Sequence, residues 1–150
     1  MIVSGADKID HIGMVVSDIE KAVALYSNMF GLTPWEKGIQ ESETGQKMVI
    51  LPLQGTFLEL IEPSHRVENR FNEMLKQGEG VYWICFHVDD YDTKFNELKE
   101  KGIPVEEMVA KSFPGHEFRV AWVPPKYTHG VWIELAEKAH IPQFLIDHTF

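Results

Sequence analysis

The sequence holds a single cysteine, Cys85, so no disulfide can form within the chain. That residue sits in an apolar, strand-like run and reads as a small core side chain of a reducing compartment. Basic residues are in the minority: 14 Lys and Arg stand against 23 Asp and Glu, for a formal net charge of −9. The balance argues against a nucleic-acid surface, which would need a basic patch, while a few local cations would still suffice for a small anionic ligand. No apolar run approaches the ~18 residues of a membrane span. The opening stretch, MIVSGADKID, lacks the charged and apolar regions of an export signal. A cytoplasmic protein without nucleic-acid or membrane partners is the expectation.

What is present is enough for a core. At 150 residues, 44% hydrophobic and 25% charged, the chain fits one compact domain or two half-size units around a shared core. After a short leader of residues 1 to 7, Ile9 to Val16 alternates as a strand, with His11, Gly13 and Val15 on one face. Asp18 is a good N-cap for a helix marked by Ile19, Ala22, Val23, Tyr26 and Phe30, which Gly31 stops. A strand and loop follow from Leu32 to about Gly45. Lys47–Leu53 and Thr56–Ile61 then form two strands about a turn at Gln54 and Gly55. Residues 63–80 are polar and carry a short linker helix with Phe71, Met74 and Leu75 on one stripe.

The order then repeats. Val81–Val88 reads as a strand, Asp89 or Asp90 caps a helix with Tyr91, Phe95 and Leu98, and strands are expected at Ile103–Val105, Phe118–Val123 and Gly130–Leu135, with a loop at Pro114 and Gly115. The chain therefore reads as α+β, two tandem βαβββ modules of about 8–62 and 81–137 that form a shared cleft, followed by a tail from 138 to 150 apolar enough to pack.

The repeat aligns specific side chains. KIDHIGMVVSD is echoed by YWICFHVDD 72 residues later, and Glu59 in LELIE pairs with Glu134 in IELAE at a spacing of 75. Symmetry then brings His11, Glu59 and Glu134 toward one place, and an imidazole with two carboxylates suits a divalent metal such as Zn, Co, Mn, Ni or Fe. The fourth matching place is Trp83, and indole is not a ligand. Read singly, His11 is an ordinary strand-end histidine and each glutamate a solvent-facing residue; their matched positions favour the site.

These stretches carry a resemblance. DHIGMVVSDIEKAVALYSNMFGL, FLELIEP, GEGVYWICFHVDD and GVWIELAE resemble the vicinal oxygen chelate superfamily of glyoxalase I, bleomycin-resistance proteins and extradiol dioxygenases, and within it the methylmalonyl-CoA epimerases. The resemblance implies a glyoxalase-like fold, a divalent metal held by His11, Glu59 and Glu134, a small-molecule substrate and a homodimer. The epimerase motif reads roughly GEG, an apolar residue and HHIAFEVDD, its second histidine being a ligand; Tyr82 and Trp83 stand in place of the two histidines. By the same likeness Glu43 falls where the family carries an acid/base glutamate, and the plain reading of Glu43 is a solvated loop residue. His87 shares a face with Trp83 but lies about 13 Å further along the strand, too far to replace the missing ligand, and is expected to line the cavity instead. His116, in the PGHEF loop, either swings into the site or stays at the surface, and Trp83, His87 and His116 together make the expected substrate pocket. His65, His129, His140 and His148 read as surface.

Two functions follow from that set. One is a diverged lyase or isomerase that epimerises a 2-substituted acyl-CoA such as methylmalonyl-CoA, a metal stabilising the enolate while Glu43 and Glu134 carry protons. The other is a metal-free small-molecule binding or resistance protein with an aromatic-lined cleft.

Overall fold

A computed structural model describes residues 5–36, 38–113 and 115–141, the side chains of 111–113 excepted. Among the described residues eight strands and three α-helices follow in the order β1 (Ala6–Val15), α1 (Ile19–Phe30), β2 (Gln40–Glu41), β3 (Lys47–Leu53), β4 (Thr56–Glu62), α2 (Arg70–Lys76), β5 (Gly80–Val88), α3 (Tyr91–Glu100), β6 (Glu106–Phe113), β7 (His116–Val123) and β8 (Trp132–Ala136). This is an α+β chain that makes the βαβββ passage twice.

By its contacts the chain divides into two compact units. Of the described residues, 12–82 form the N-terminal unit, and the C-terminal unit joins 5–11 with 83–141. Strand β1 thus contributes its first half, with Asp10 and His11, to the C-terminal unit.

Within the N-terminal unit the strands run in the order β2-β3-β4-β1. Strand β1 pairs with β4 in parallel, Gly13 facing Glu59, and β3 pairs with β4 antiparallel, Ile50 facing Glu59. Helix α1 forms because Asp18 accepts from the Lys21 N–H, Glu62 accepts from the Ile19 N–H at 3.0 Å, and the apolar stripe repeats at helical spacing. Both carboxylates lie at the positive end of the helix dipole. Gly31 ends the helix at φ 69°, where a Cβ would be strained. Ile19, Ala22, Val23 and Tyr26 pack on Val16, Val49, Leu51 and Leu60.

Within the C-terminal unit the order is β5-β8-β7-β6. Strand β5 pairs with β8 in parallel, Cys85 facing Glu134, and β7 pairs with β8 antiparallel, Trp122 facing Glu134. Each unit therefore keeps the same ladder register, Gly13 with Glu59 in one and Cys85 with Glu134 in the other. Tyr91 of α3 packs with Val88, Ala121 and Leu135.

The elements differ from the sequence reading at their edges. Strand β1 begins at Ala6, inside the expected leader, because residues 6 to 9 are extended although exposed. Among the described residues of the stretch expected to hold a strand from Leu32, the strand is Gln40–Glu41, and Gly31 and Gly38, both at positive φ, punctuate the approach to it. Strand β6 starts at Glu106, not Ile103, and forms a hairpin with β7. The charges at Glu106, Glu107 and Lys111 hid it, since an edge strand can carry charged residues that break the apolar pattern. Pro114, His148 and the apolar tail residues Phe144, Leu145, Ile146 and Phe150 lie outside the described residues.

Candidate functional site

The C-terminal unit encloses a cluster of polar side chains. Strand β1 supplies Asp10 and His11, β5 supplies Trp83 and Cys85, β8 supplies Glu134, and the segment after β8 supplies His140. His11 is fully buried, and Trp83, Glu134, Asp10 and His140 are 1, 4, 5 and 9% exposed. Alternation places His11 inward, and parallel pairing sets Glu134 opposite Cys85, two residues beyond Trp83 on the same face of β5.

The bonds run in a chain. Nδ1 of His11 donates to Oδ2 of Asp10 at 2.7 Å, which leaves Nε2 as the acceptor. Trp83 donates its indole N–H to that Nε2 at 3.2 Å. Oε1 of Glu134 lies 3.8 Å from Nε2 of His11 and 3.1 Å from Nε2 of His140. Nδ1 of His140 stands 3.0 Å from Oδ2 of Asp10, and its backbone N–H donates to Oδ1 of the same carboxylate at 3.2 Å. The two imidazoles meet edge to face at 4.5 Å, and Phe118 closes on His140 at 4.7 Å.

Electrostatics follow from these partners. Burial works to lower the His140 imidazole, but the charge of Glu134 and the bonds to Asp10 and Glu134 outweigh it and push the group up to about 10. Burial would raise Asp10, yet hydrogen bonds from His11 and His140 hold it well below the usual carboxylate range. Glu134 is held low as well, its burial outweighed by the charge of and hydrogen bond from His140. An imidazolium between two carboxylates is the resulting charge arrangement.

His140 overturns the surface reading made from the sequence. It stands outside the predicted strands, so its spacing gave no hint of the contact; the Ile141 that follows it, 1% exposed, was the available signal. Asp10 was missed too, although it immediately precedes His11. His116 donates from Nε2 to the Ala139 carbonyl at 2.7 Å and so ties down the segment that presents His140. His87 is half-buried and bonds through Nδ1 to Asp7 at 2.8 Å. Asp7, His87 and Asp89 form one group of potential ligand atoms, and Asp10, His11, Cys85 and His140 form another, each within 4.8 Å.

The remaining candidates belong to the N-terminal unit. Glu59 is half-buried in β4. Glu43 is exposed in the turn from Ser42 to Gly45, which is tied to the segment after β4: Arg66 donates to the Glu43 carbonyl at 3.1 Å, and Ser64 donates to the Thr44 carbonyl. Gly45, at φ 86°, has Arg66 where a Cβ would project. Beside this turn is a cavity of about 620 Å³ lined by Glu41, Gly45, Lys47, Glu62, His65 and Arg66. Among the described residues no helix is long and apolar enough to cross a membrane.

Comparison with known proteins agrees with the fold. Residues 10–122 match the model of the Glyoxalase/Bleomycin resistance protein/Dioxygenase superfamily. The chain is 31% identical over 132 residues to the mitochondrial methylmalonyl-CoA epimerase of Bos taurus, covering 87% of this chain and 74% of that one. It is 28% identical over 137 residues to the corresponding protein of Dictyostelium discoideum, covering 89% and 80%. A variant of the Streptomyces coelicolor methylmalonyl-CoA epimerase, solved with 2-nitronate-propionyl-CoA, superposes with a TM-score of 0.72 at 27% identity over 88% of this chain and 97% of that one. These likenesses support an epimerase-like function. The chain belongs to the glyoxalase, bleomycin resistance protein and dioxygenase superfamily.

Proposed function

We propose that this chain binds a 2-substituted acyl-CoA such as methylmalonyl-CoA and exchanges the proton on the carbon beside the thioester carbonyl. The observation that carries the reading is the likeness to methylmalonyl-CoA epimerases over 87% of the chain. Glu43 acts as the base: it is exposed to an incoming substrate, and its turn is pinned by Arg66 and Ser64. A carboxylate placed in this way can take an α-proton, an effect worth about 10²- to 10⁴-fold in rate. The cations Lys47 and Arg66, with His65, border the neighbouring cavity and suit a carboxylate or thioester oxygen, while Glu41 and Glu62 in the same wall disfavour a second anion.

The test is deuterium uptake at C2 of methylmalonyl-CoA in heavy water, with and without a chelator. Exchange that survives the chelator and drops at least tenfold in Glu43→Gln is the expected result. Absence of exchange under both conditions sinks the reading. A second reading, a metal-free binding protein, is favoured by the indole bond onto His11; it predicts that calorimetry detects binding of the thioester while its C2 proton stays in place.

A further inference from the structure

The fold family implies a divalent metal, and the residues at its expected centre do not fit one. We propose that Trp83 and His140 together replace the ion at His11 and Glu134, so that the buried centre is a closed polar core that takes no divalent cation. The proposal stands apart from the choice of substrate.

His11 is dressed as a metal ligand on one side only. Its Nδ1–H···Asp10 bond, 2.7 Å long, is the outer-shell contact that orients a ligating histidine and presents Nε2 to an ion. Here Nε2 faces the indole N–H of Trp83 at 3.2 Å. Indole nitrogen has no lone pair to offer and can only donate, so the His11 lone pair is the acceptor. A zinc ion would sit about 2.0–2.1 Å along that lone pair, in the space that the indole hydrogen fills. Trp83 has little freedom to leave: it is 1% exposed and packs edge to face on Trp122 at 5.9 Å, and Trp122 meets Trp132 at 6.1 Å.

The carboxylate side is occupied by an ion pair, not by a hydrogen bond. Glu134 comes no nearer to His11 than 3.8 Å, and the closer neighbour of its Oε1 is Nε2 of His140 at 3.1 Å. The other nitrogen of His140 stands 3.0 Å from Asp10. His11 is hydrogen-bonded through both nitrogens, while His140 is held by charge, its two nitrogens within ion-pair distance of Asp10 and Glu134 although its Nδ1 makes no hydrogen bond. The group formed by Asp10, His11, Cys85 and His140 is compact enough for a cation, but His11 joins it only by giving up its bond to Trp83 or to Asp10.

Cobalt(II) tests this directly, through absorption and metal content of the purified chain. The wild-type chain is expected to retain less than about a tenth of an equivalent after gel filtration, and the double variant Trp83→His/His140→Ala to bind at least about a hundredfold more tightly. A wild-type chain that holds one equivalent, lost in His11→Ala, overturns the proposal. So does a folded double variant that remains indifferent to cobalt. Should the double variant not fold, the wild-type NMR spectrum decides: the indole N–H of Trp83 is expected to be protected from exchange and unmoved by one equivalent of cobalt(II). Paramagnetic shift or broadening of that resonance contradicts the closed core.

Discussion

Trp83 donates its indole N–H to Nε2 of His11 across 3.2 Å, with Asp10 receiving from the opposite side of the same ring. The substitution Trp83→Phe keeps an aromatic ring and deletes the donor, stranding a buried acceptor. An unsatisfied buried group costs about 1–3 kcal/mol. Urea unfolding should show a loss of that size; a midpoint unchanged within error would mean that the bond contributes nothing.

Glu134 and His140 should behave as a unit. Removing the charge of Glu134 leaves the His140 imidazolium with Asp10 as its remaining carboxylate neighbour, so Glu134→Gln is expected to cost about 1–3 kcal/mol. Replacing both by leucine removes the pair together, leaves Asp10 bonded to His11, and should be milder than the sum of the single changes. A double-mutant cycle reads the coupling, and strict additivity would show that the 3.1 Å contact carries no energy.

Stability should decline toward alkaline pH. His140 has a raised pKa, so its contribution is complete below its ordinary value of 6.5 and is lost as pH climbs toward about 10. Asp10 and Glu134 are depressed, so theirs is complete above ordinary carboxylate values and is lost in acid. Urea midpoints measured from pH 5 to pH 10 should fall above 6.5, and the fall should be shallower in His140→Phe. Parallel profiles for the two proteins would refute the assignment.

His116 acts on the backbone. Its bond to the Ala139 carbonyl holds the segment that ends in His140, so His116→Ala should speed amide exchange at residues 139–141 while costing only about 0.5–1.5 kcal/mol globally. Unchanged protection there would show that other contacts fix the segment.

Gly31 tests the end of α1. With φ at 69°, Gly31→Ala is expected to cost about 1 kcal/mol, because alanine is strained in the left-handed region. A variant as stable as the wild type in thermal melts would mean that the turn relaxes.

The duplicated order of elements was legible from apolar periodicity and from capping residues such as Asp18 and Asp90, since both are local signals. Strand β6 was less so, because Glu106, Glu107 and Lys111 interrupt the apolar pattern of a strand whose partner is a hairpin neighbour. At the site, His11 and Glu134 stood out by their places in the repeat. His140 did not: only folding brings a residue beyond the last strand onto β1. Trp83 was recognisable as a residue unable to ligate metal, but the direction of its N–H is a property of packing.

The shared ladder register of the two units bears on how such a centre can change over generations. Backbone pairing in β1–β4 and β5–β8 is indifferent to which side chain projects at a given rung: Gly13 and Cys85 hold equivalent rungs opposite Glu59 and Glu134. A duplicated scaffold of this kind can alter its chemistry through a single codon at one rung while its folding instructions stay intact.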